Sequence, residues 1–92
     1  MIKDHKETVL RRLKSIEGHV RGIEAMVESD TYCIDVLKQT HAVQKALDKL
    51  NALIMQNHMN ECVTSAIRGE DPKERERVIA EIVGVFEMSS KI

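Results

Sequence analysis

The feature that most constrains the fold is a pair of apolar repeats whose members are spaced alternately four and three residues apart. Such spacing places apolar side chains along one face of an α-helix and is typical of helices that pack against each other lengthwise. The first repeat comprises Val9, Leu13, Ile16, Val20, Ile23 and Val27; the second comprises Val36, Thr40, Val43, Leu47, Leu50 and Ile54. The chain is therefore predicted to be all-α.

Three helices are predicted, over residues 4–27, 32–68 and 72–88. Because residues 28–31 form a short polar connection, the first two helices are expected to make a long antiparallel hairpin. Asp71 precedes the proline that begins the third helix, and its carboxylate is expected to cap that helix. The protomer is thus predicted to be a long helical hairpin followed by one short helix, in a single domain over residues 1–92.

The second predicted helix is longer than the first, and the part that extends beyond the first helix is still rich in apolar residues. These are Leu53, Met55, Met59, Val63 and Ile67. A chain of 92 residues also has a small core and a thin margin of stability, for which oligomerisation is a common remedy. We therefore expect the long helices to pack against another copy of the chain.

Composition excludes several classes of protein. A formal net charge of −1 does not by itself indicate a nucleic-acid binder. No apolar run is long enough for a membrane helix and no signal peptide is evident, so a cytoplasmic protein without a membrane partner is expected. In that compartment the two cysteines favour thiolate chemistry or simple packing over a disulfide. No nucleophile–base pair has useful spacing, so an enzyme is not expected.

Cys33, His58 and Cys62 are candidate metal ligands, because soft metals prefer thiolate and imidazole donors. His58 and Cys62 are four residues apart and share one face of a helix. A continuous helix would place Cys33 about 37 Å from His58, so only a second, antiparallel chain would complete the set. From these residues alone, buried packing cysteines remain an alternative. His5, close to the N-terminus, is a candidate extra ligand, but a free surface residue is the favoured interpretation.

Longer motifs carry a family resemblance. The segments R-R-L-K-S-I-E-G-H-V-R-G-I, T-Y-C-I-D-V-L-K-Q and N-H-M-N-E-C resemble the copper-sensing repressor family, the CsoR type, which is related to the nickel sensor RcnR and the formaldehyde sensor FrmR. The resemblance implies three-helix protomers that pair as a four-helix-bundle dimer and assemble as a dimer of dimers. It implies an allosteric repressor that binds operator DNA when metal-free and releases it when Cu(I) binds.

The resemblance also assigns residues to the copper site. The ligands would be Cys33 from one chain with His58 and Cys62 from its partner. Tyr32 and Glu81 match the tyrosine and glutamate that surround the histidine in copper sensors. An acceptor for the free ring N–H of a metal-bound histidine fixes its orientation. A copper chaperone is one candidate protein partner.

Departures from the related branches favour copper. The nickel branch has histidines where Cys62 and Met1 stand, and the formaldehyde branch has proline where Ile2 stands. The sulfur-sensing branch lacks a histidine at the position of His58. A thiol-based persulfide sensor that uses Cys33 and Cys62 remains the alternative function.

Basic residues form two stripes, which in many helices are simply solvated faces. In the family, residues that match Arg12 and Lys49 lie on the DNA-facing surface. The residues expected to bind DNA are Arg12, Lys14 and Arg21 on the first helix and Lys45 and Lys49 on the second. Such a flat array would contact phosphates and read duplex shape, and four chains would make its affinity steeply salt-dependent.

Overall fold

The structure, a computed structural model, describes residues 3–90, with side chains through residue 88. It contains the helices α1 (Lys3–Glu28), α2 (Cys33–His58), α3 (Thr64–Arg68) and α4 (Pro72–Ser90), and a π-helix over Met59–Val63 joins α2 to α3. No strand occurs in this range. The all-α prediction is confirmed.

The chain divides after Met55 into two compact units. The first unit holds α1 and most of α2, and the second holds the end of α2, the π-helix, α3 and α4. The assignment of residues 1–92 to a single domain stays a prediction.

In the first unit, α1 ends in a Schellman motif. The backbone N–H of Thr31 donates to the carbonyl of Met26 at 2.9 Å, and that of Asp30 donates to the carbonyl of Val27 at 3.1 Å. Asp30 has a φ of 55°, the left-handed conformation that this motif requires and that aspartate tolerates better than most residues. The chain thereby reverses within four residues, as the hairpin prediction requires.

The hairpin buries a few apolar side chains and has one polar link between its helices. Val9, Val43 and Leu50 are buried. The ring Nε2 of His19 on α1 lies 2.8 Å from the side-chain oxygen of Gln39 on α2, at hydrogen-bond distance. The α1 stripe is only partly covered, since its members Leu13, Val20 and Val27 are exposed.

The second helical run extends without a break from Cys33 to Arg68, close to the predicted residues 32–68. The prediction of a uniform α-helix is wrong at residues 59–63, which form a π-helix. The Met59 carbonyl accepts the backbone N–H of Thr64 and also the Thr64 hydroxyl, the latter at 2.7 Å. A single π turn acts as one inserted residue, so it rotates the following residues by about 100°.

The second unit is built around α4. The helix begins at Pro72, as predicted. The Asp71 carboxylate caps it by accepting a hydrogen bond from the backbone N–H of Lys73 at 3.0 Å. Its core consists of Val63, Ala66 and Val78, against which Ile82 packs. This core joins α4 to the π-helix and α3, and it fixes the face of α4 that carries Glu81.

Candidate metal site and basic groove

His58 and Cys62 flank the start of the π turn, in the second unit. His58 is the last residue of α2, and Cys62 lies within the π-helix. His58 is half-buried, whereas Cys62 is exposed and its thiol is free. The sequence prediction that the two share a helical face assumed α-helical geometry, whereas the residues between them belong to a π-helix.

Glu81 of α4 reaches His58. The Oε2 atom of Glu81 lies 3.8 Å from Nε2 of the imidazole, and both side chains are partly exposed to water. Because Glu81 faces Nε2, the other ring nitrogen, Nδ1, is free to act as a metal ligand. The structure thus brings together the histidine and the glutamate that the sequence assigned to one site.

Arg77 connects Glu81 to a third residue of α4. Its guanidinium pairs with Glu81, four residues on, and with Glu74, three residues back. The hydrogen bond from Arg77 lowers the pKa of Glu74 below its usual range, and the two carboxylates raise the pKa of the guanidinium. The sequence analysis missed this cluster, although its E-x-x-R-x-x-x-E spacing is that of helical ion pairs.

Tyr32 and Cys33 belong to the first unit, at the start of α2. Tyr32 is 68% exposed, and Cys33 is exposed with a free thiol. Cys33 borders a shallow apolar groove whose other lining residues are Val27, Asp30, Thr31, Val36 and Leu37. A ligand from a second chain would have access to this thiol.

Within residues 3–90 of one chain, no three His, Cys, Asp or Glu side chains gather closely enough to hold a metal ion. The assignment of Cys33, His58 and Cys62 to one metal site therefore stays a prediction. Two free thiols and an imidazole with an available Nδ1 are nevertheless a donor set that suits a soft metal.

Three of the predicted DNA-binding residues line one groove of the first unit. Arg12 of α1 faces Lys45 and Lys49 of α2, and the rest of the lining is small or apolar: Ser15, Ile16, Ala42 and Ala46. The hairpin brings cations from two helices together, so the groove is locally positive although the net charge of the chain is close to zero.

The other two predicted DNA-binding residues are placed differently. Lys14 is two residues beyond Arg12, which is about 200° around α1. Arg21 is exposed but forms an ion pair with Glu17, which offsets its charge. The structure therefore groups Arg12, Lys45 and Lys49, and it separates them from Lys14 and Arg21.

Three residues near the N-terminus complete the comparison with the sequence predictions. The expectation that His5 is a free surface residue is wrong, because its side chain is half-buried and its Nε2 atom is shielded from water without a hydrogen-bond partner. Met1 and Ile2, which distinguish the branches, lie outside the described residues.

No helix within residues 3–90 is both long and apolar enough to cross a membrane.

Comparison with known proteins identifies the class. The fold matches a crystal structure of the copper-sensing repressor CsoR with Cu(I) from Geobacillus thermodenitrificans NG80-2, with a TM-score of 0.89 and 38% identity, over 99% of this chain and 92% of that one. It also matches a variant of the formaldehyde-responsive regulator FrmR from Salmonella enterica serovar Typhimurium, with a TM-score of 0.81 and 27% identity, over 95% and 96% of the two chains. The class is that of small helical regulators.

The family follows from the sequence match. Residues 5–88 fit the model of the metal-sensitive transcriptional repressors, and the chain belongs to that family. It is 42% identical to the copper-sensing transcriptional repressor CsoR of Bacillus subtilis (strain 168), over 94% of this chain and 82% of that protein. The match spans about half the length of the mycobacterial relatives. The family is one of repressors, not of enzymes.

Proposed function

We propose that this chain is a cytoplasmic, Cu(I)-responsive transcriptional repressor. It binds operator DNA when metal-free and releases the DNA when Cu(I) is bound by Cys33 of one chain with His58 and Cys62 of its partner. The likeness to the copper-sensing repressor of Bacillus subtilis and to the copper-containing structure from Geobacillus supports this choice of metal.

The chemistry of the donors supports the same choice. Cu(I) is a soft ion that thiolates bind strongly, and it accepts three ligands. A structural zinc site almost always has four ligands. Nickel favours more nitrogen and oxygen donors than two cysteines and one histidine supply. A three-donor set with two free thiols is thus better suited to Cu(I) than to either alternative.

The observation that carries the proposal is the approach of Glu81 to His58. The two atoms that face each other, Oε2 and Nε2, are 3.8 Å apart, slightly beyond a hydrogen bond. When Nδ1 of His58 is a metal ligand, Nε2 carries the proton and needs an acceptor. Glu81 is placed to accept it, so ligation at His58 would draw α4 toward the end of α2.

The DNA surface is proposed to be the basic groove of Arg12, Lys45 and Lys49. These side chains would bind phosphates, and copies of the groove on a homodimer or homotetramer would act together on one duplex. The exposed apolar residues Leu13 and Val20 of the α1 stripe are suited to cover by a second copy. A copper chaperone would be a further partner in the cell.

Regulation requires a coupling free energy between the metal and DNA sites. Allosteric couplings are typically about 1–3 kcal/mol, and by linkage operator DNA must weaken Cu(I) binding by the same factor. In this chain the coupling would run from His58 through Glu81 to α4, and then to the arrangement of the basic grooves in the oligomer.

The first test is an anaerobic titration of the reduced protein with Cu(I) against a strong colorimetric chelator. We expect one Cu(I) per chain to be retained. The retained copper should then release a DNA duplex that the metal-free protein has selected from a randomised pool. Loss of copper to the chelator would contradict the proposal and would favour the persulfide sensor, which predicts Cys33–Cys62 cross-links between chains after polysulfide treatment.

The second test separates copper binding from its effect on DNA. His58→Ala should retain appreciable Cu(I) through the two thiolates, yet it should no longer release the duplex when copper is added. His41→Ala provides the control, because His41 is an exposed histidine on the same helix. A His58→Ala protein that still releases DNA on copper addition would refute the role of His58.

A further inference from the structure

We propose that Arg77 is a positioning residue for the metal response: it holds the Glu81 carboxylate in the orientation that faces His58. This inference rests on the proposed function and extends it to a residue outside the ligand set. The supporting observation is that one carboxylate oxygen of Glu81 pairs with Arg77 while the other faces His58.

Each oxygen of Glu81 faces a different residue. Oε1 pairs with the Nη1 group of Arg77, and Oε2 lies 3.8 Å from the Nε2 atom of His58. A carboxylate that had only water as its second partner would rotate freely about its side-chain bonds. Because Arg77 holds Oε1, the remaining oxygen is directed toward the imidazole.

Arg77 is itself held in place. Its Nε atom donates to Oε2 of Glu74 at 3.2 Å, and its Nη2 group pairs with the other oxygen of the same carboxylate. Two parallel bonds between a guanidinium and a carboxylate fix geometry as well as adding energy. All three residues are on α4, so the arrangement exists before any metal or second chain is bound.

The ion pairs of Arg77 affect the orientation of the Glu81 carboxylate more than the stability of the fold. The three side chains are about half exposed, and exposed ion pairs contribute little to the free energy of unfolding. An acceptor that is already oriented, however, gives up less conformational freedom when the contact to His58 closes. Arg77 should therefore strengthen the response of α4 to metal without being needed for metal binding.

The test compares Arg77→Met with Lys73→Met, which removes the same charge from an exposed lysine in the first turn of the same helix. Duplex affinity is measured at one salt concentration with and without Cu(I), and Cu(I) retention is measured against the chelator. We expect Arg77→Met to retain Cu(I) like the wild type, but to reduce the copper-induced loss of duplex affinity about two- to fivefold, the range of an exposed ion pair. Lys73→Met should leave that loss unchanged.

A conservative variant and a direct probe complete the design. Arg77→Lys keeps the charge but loses the planar fork, so its response should lie between those of the wild type and Arg77→Met. In the Cu(I)-loaded protein, NMR should show faster solvent exchange of the His58 Nε2 proton in Arg77→Met, because its acceptor is less ordered. A merely structural role for Arg77 would not change this exchange rate selectively.

The outcomes distinguish this inference from the proposed function. If the wild type retains Cu(I) and releases DNA, while Arg77→Met matches Lys73→Met in both response and proton exchange, the positioning role is overturned and the repressor function stands. If the wild type neither retains Cu(I) nor releases the duplex, the proposed function fails and the role of Arg77 fails with it.

Discussion

The Nε2 atom of His58 lies 3.8 Å from the Oε2 atom of Glu81, and this approach joins the last residue of α2 to the middle of α4. The distance is slightly longer than a hydrogen bond, and a movement of about 1 Å would convert it into one. The π-helix that follows α2 already packs against α4, since Val63 and Val78 belong to the same core cluster. A change at His58 can therefore reach α4 without a large rearrangement.

Glu81→Ala tests this connection. The variant should retain one Cu(I) per chain, because no predicted ligand is removed. It should reduce the copper-induced loss of duplex affinity by about tenfold, which corresponds to a hydrogen bond to a charged group. Binding of the selected duplex, measured with and without Cu(I), gives the result. Glu76→Ala, a neighbouring exposed carboxylate on α4, is the control; equal behaviour of the two variants would remove Glu81 from the response.

The pairing of Glu74 with Arg77 predicts a small dependence of stability on pH. Because the hydrogen bond from Arg77 lowers the pKa of Glu74 in the folded chain, the pair stabilises the fold above the ordinary glutamate pKa of about 4.3. That stabilisation is lost as the pH falls through the lowered pKa. The urea midpoint of the wild type should exceed that of Glu74→Gln by a constant amount between about pH 6 and 8. The gap should close in more acidic solution, and a gap that grew there would contradict the assignment.

The sequence predicted the helices well because their signals are local. The four-three repeats, the short polar connection before Cys33 and the Asp71–Pro72 start of α4 each act within a few residues, and all have the predicted effect. The π turn at residues 59–63 was missed; its Met59 carbonyl accepts the Thr64 hydroxyl as well as a backbone N–H. A repeat of apolar residues carries no information about that bond.

The candidate site was predictable only in part. His58 and Glu81 were assigned to one site by resemblance, and the packing of α4 does bring them together. The pairing of Arg77 with Glu81 was missed, although its spacing was available in the sequence. The contribution of Cys33 depends on a second chain, so neither the sequence of one chain nor its fold determines that part of the site.

Thr64→Val tests whether the hydroxyl of Thr64 supports the π turn. Valine keeps the branched shape of threonine but cannot donate to the Met59 carbonyl, so the free energy of unfolding should fall by about 1 kcal/mol. Thr40→Val is the matched control, because the Thr40 hydroxyl donates at 2.9 Å to a carbonyl within the regular α2 helix. That change should cost less than about 0.5 kcal/mol. Urea unfolding of the two variants measures the difference, and equal losses would mean that the π turn does not depend on this bond.

Arg12→Ala tests the basic groove. Removing this cation should weaken binding of the selected duplex at fixed salt, and it should lower the slope of log affinity against log salt by about 1 for each phosphate that the protein no longer neutralises. Lys49→Ala, on the opposite wall of the groove, should act in the same way. Arg21→Ala should have a smaller effect, because Glu17 already offsets the charge of Arg21.

The control for Arg12→Ala is Lys6→Ala, an exposed cation on the same helix that does not line the groove. It should leave the salt slope unchanged, because net charge alone is altered. Cu(I) retention should be the same in all of these variants, since the groove and the proposed ligands are different residues. If Arg12→Ala and Lys6→Ala bind the duplex with the same affinity and salt slope, the DNA surface lies elsewhere. If Arg12→Ala loses affinity and retains Cu(I), the metal and DNA sites are separate, as an allosteric repressor requires.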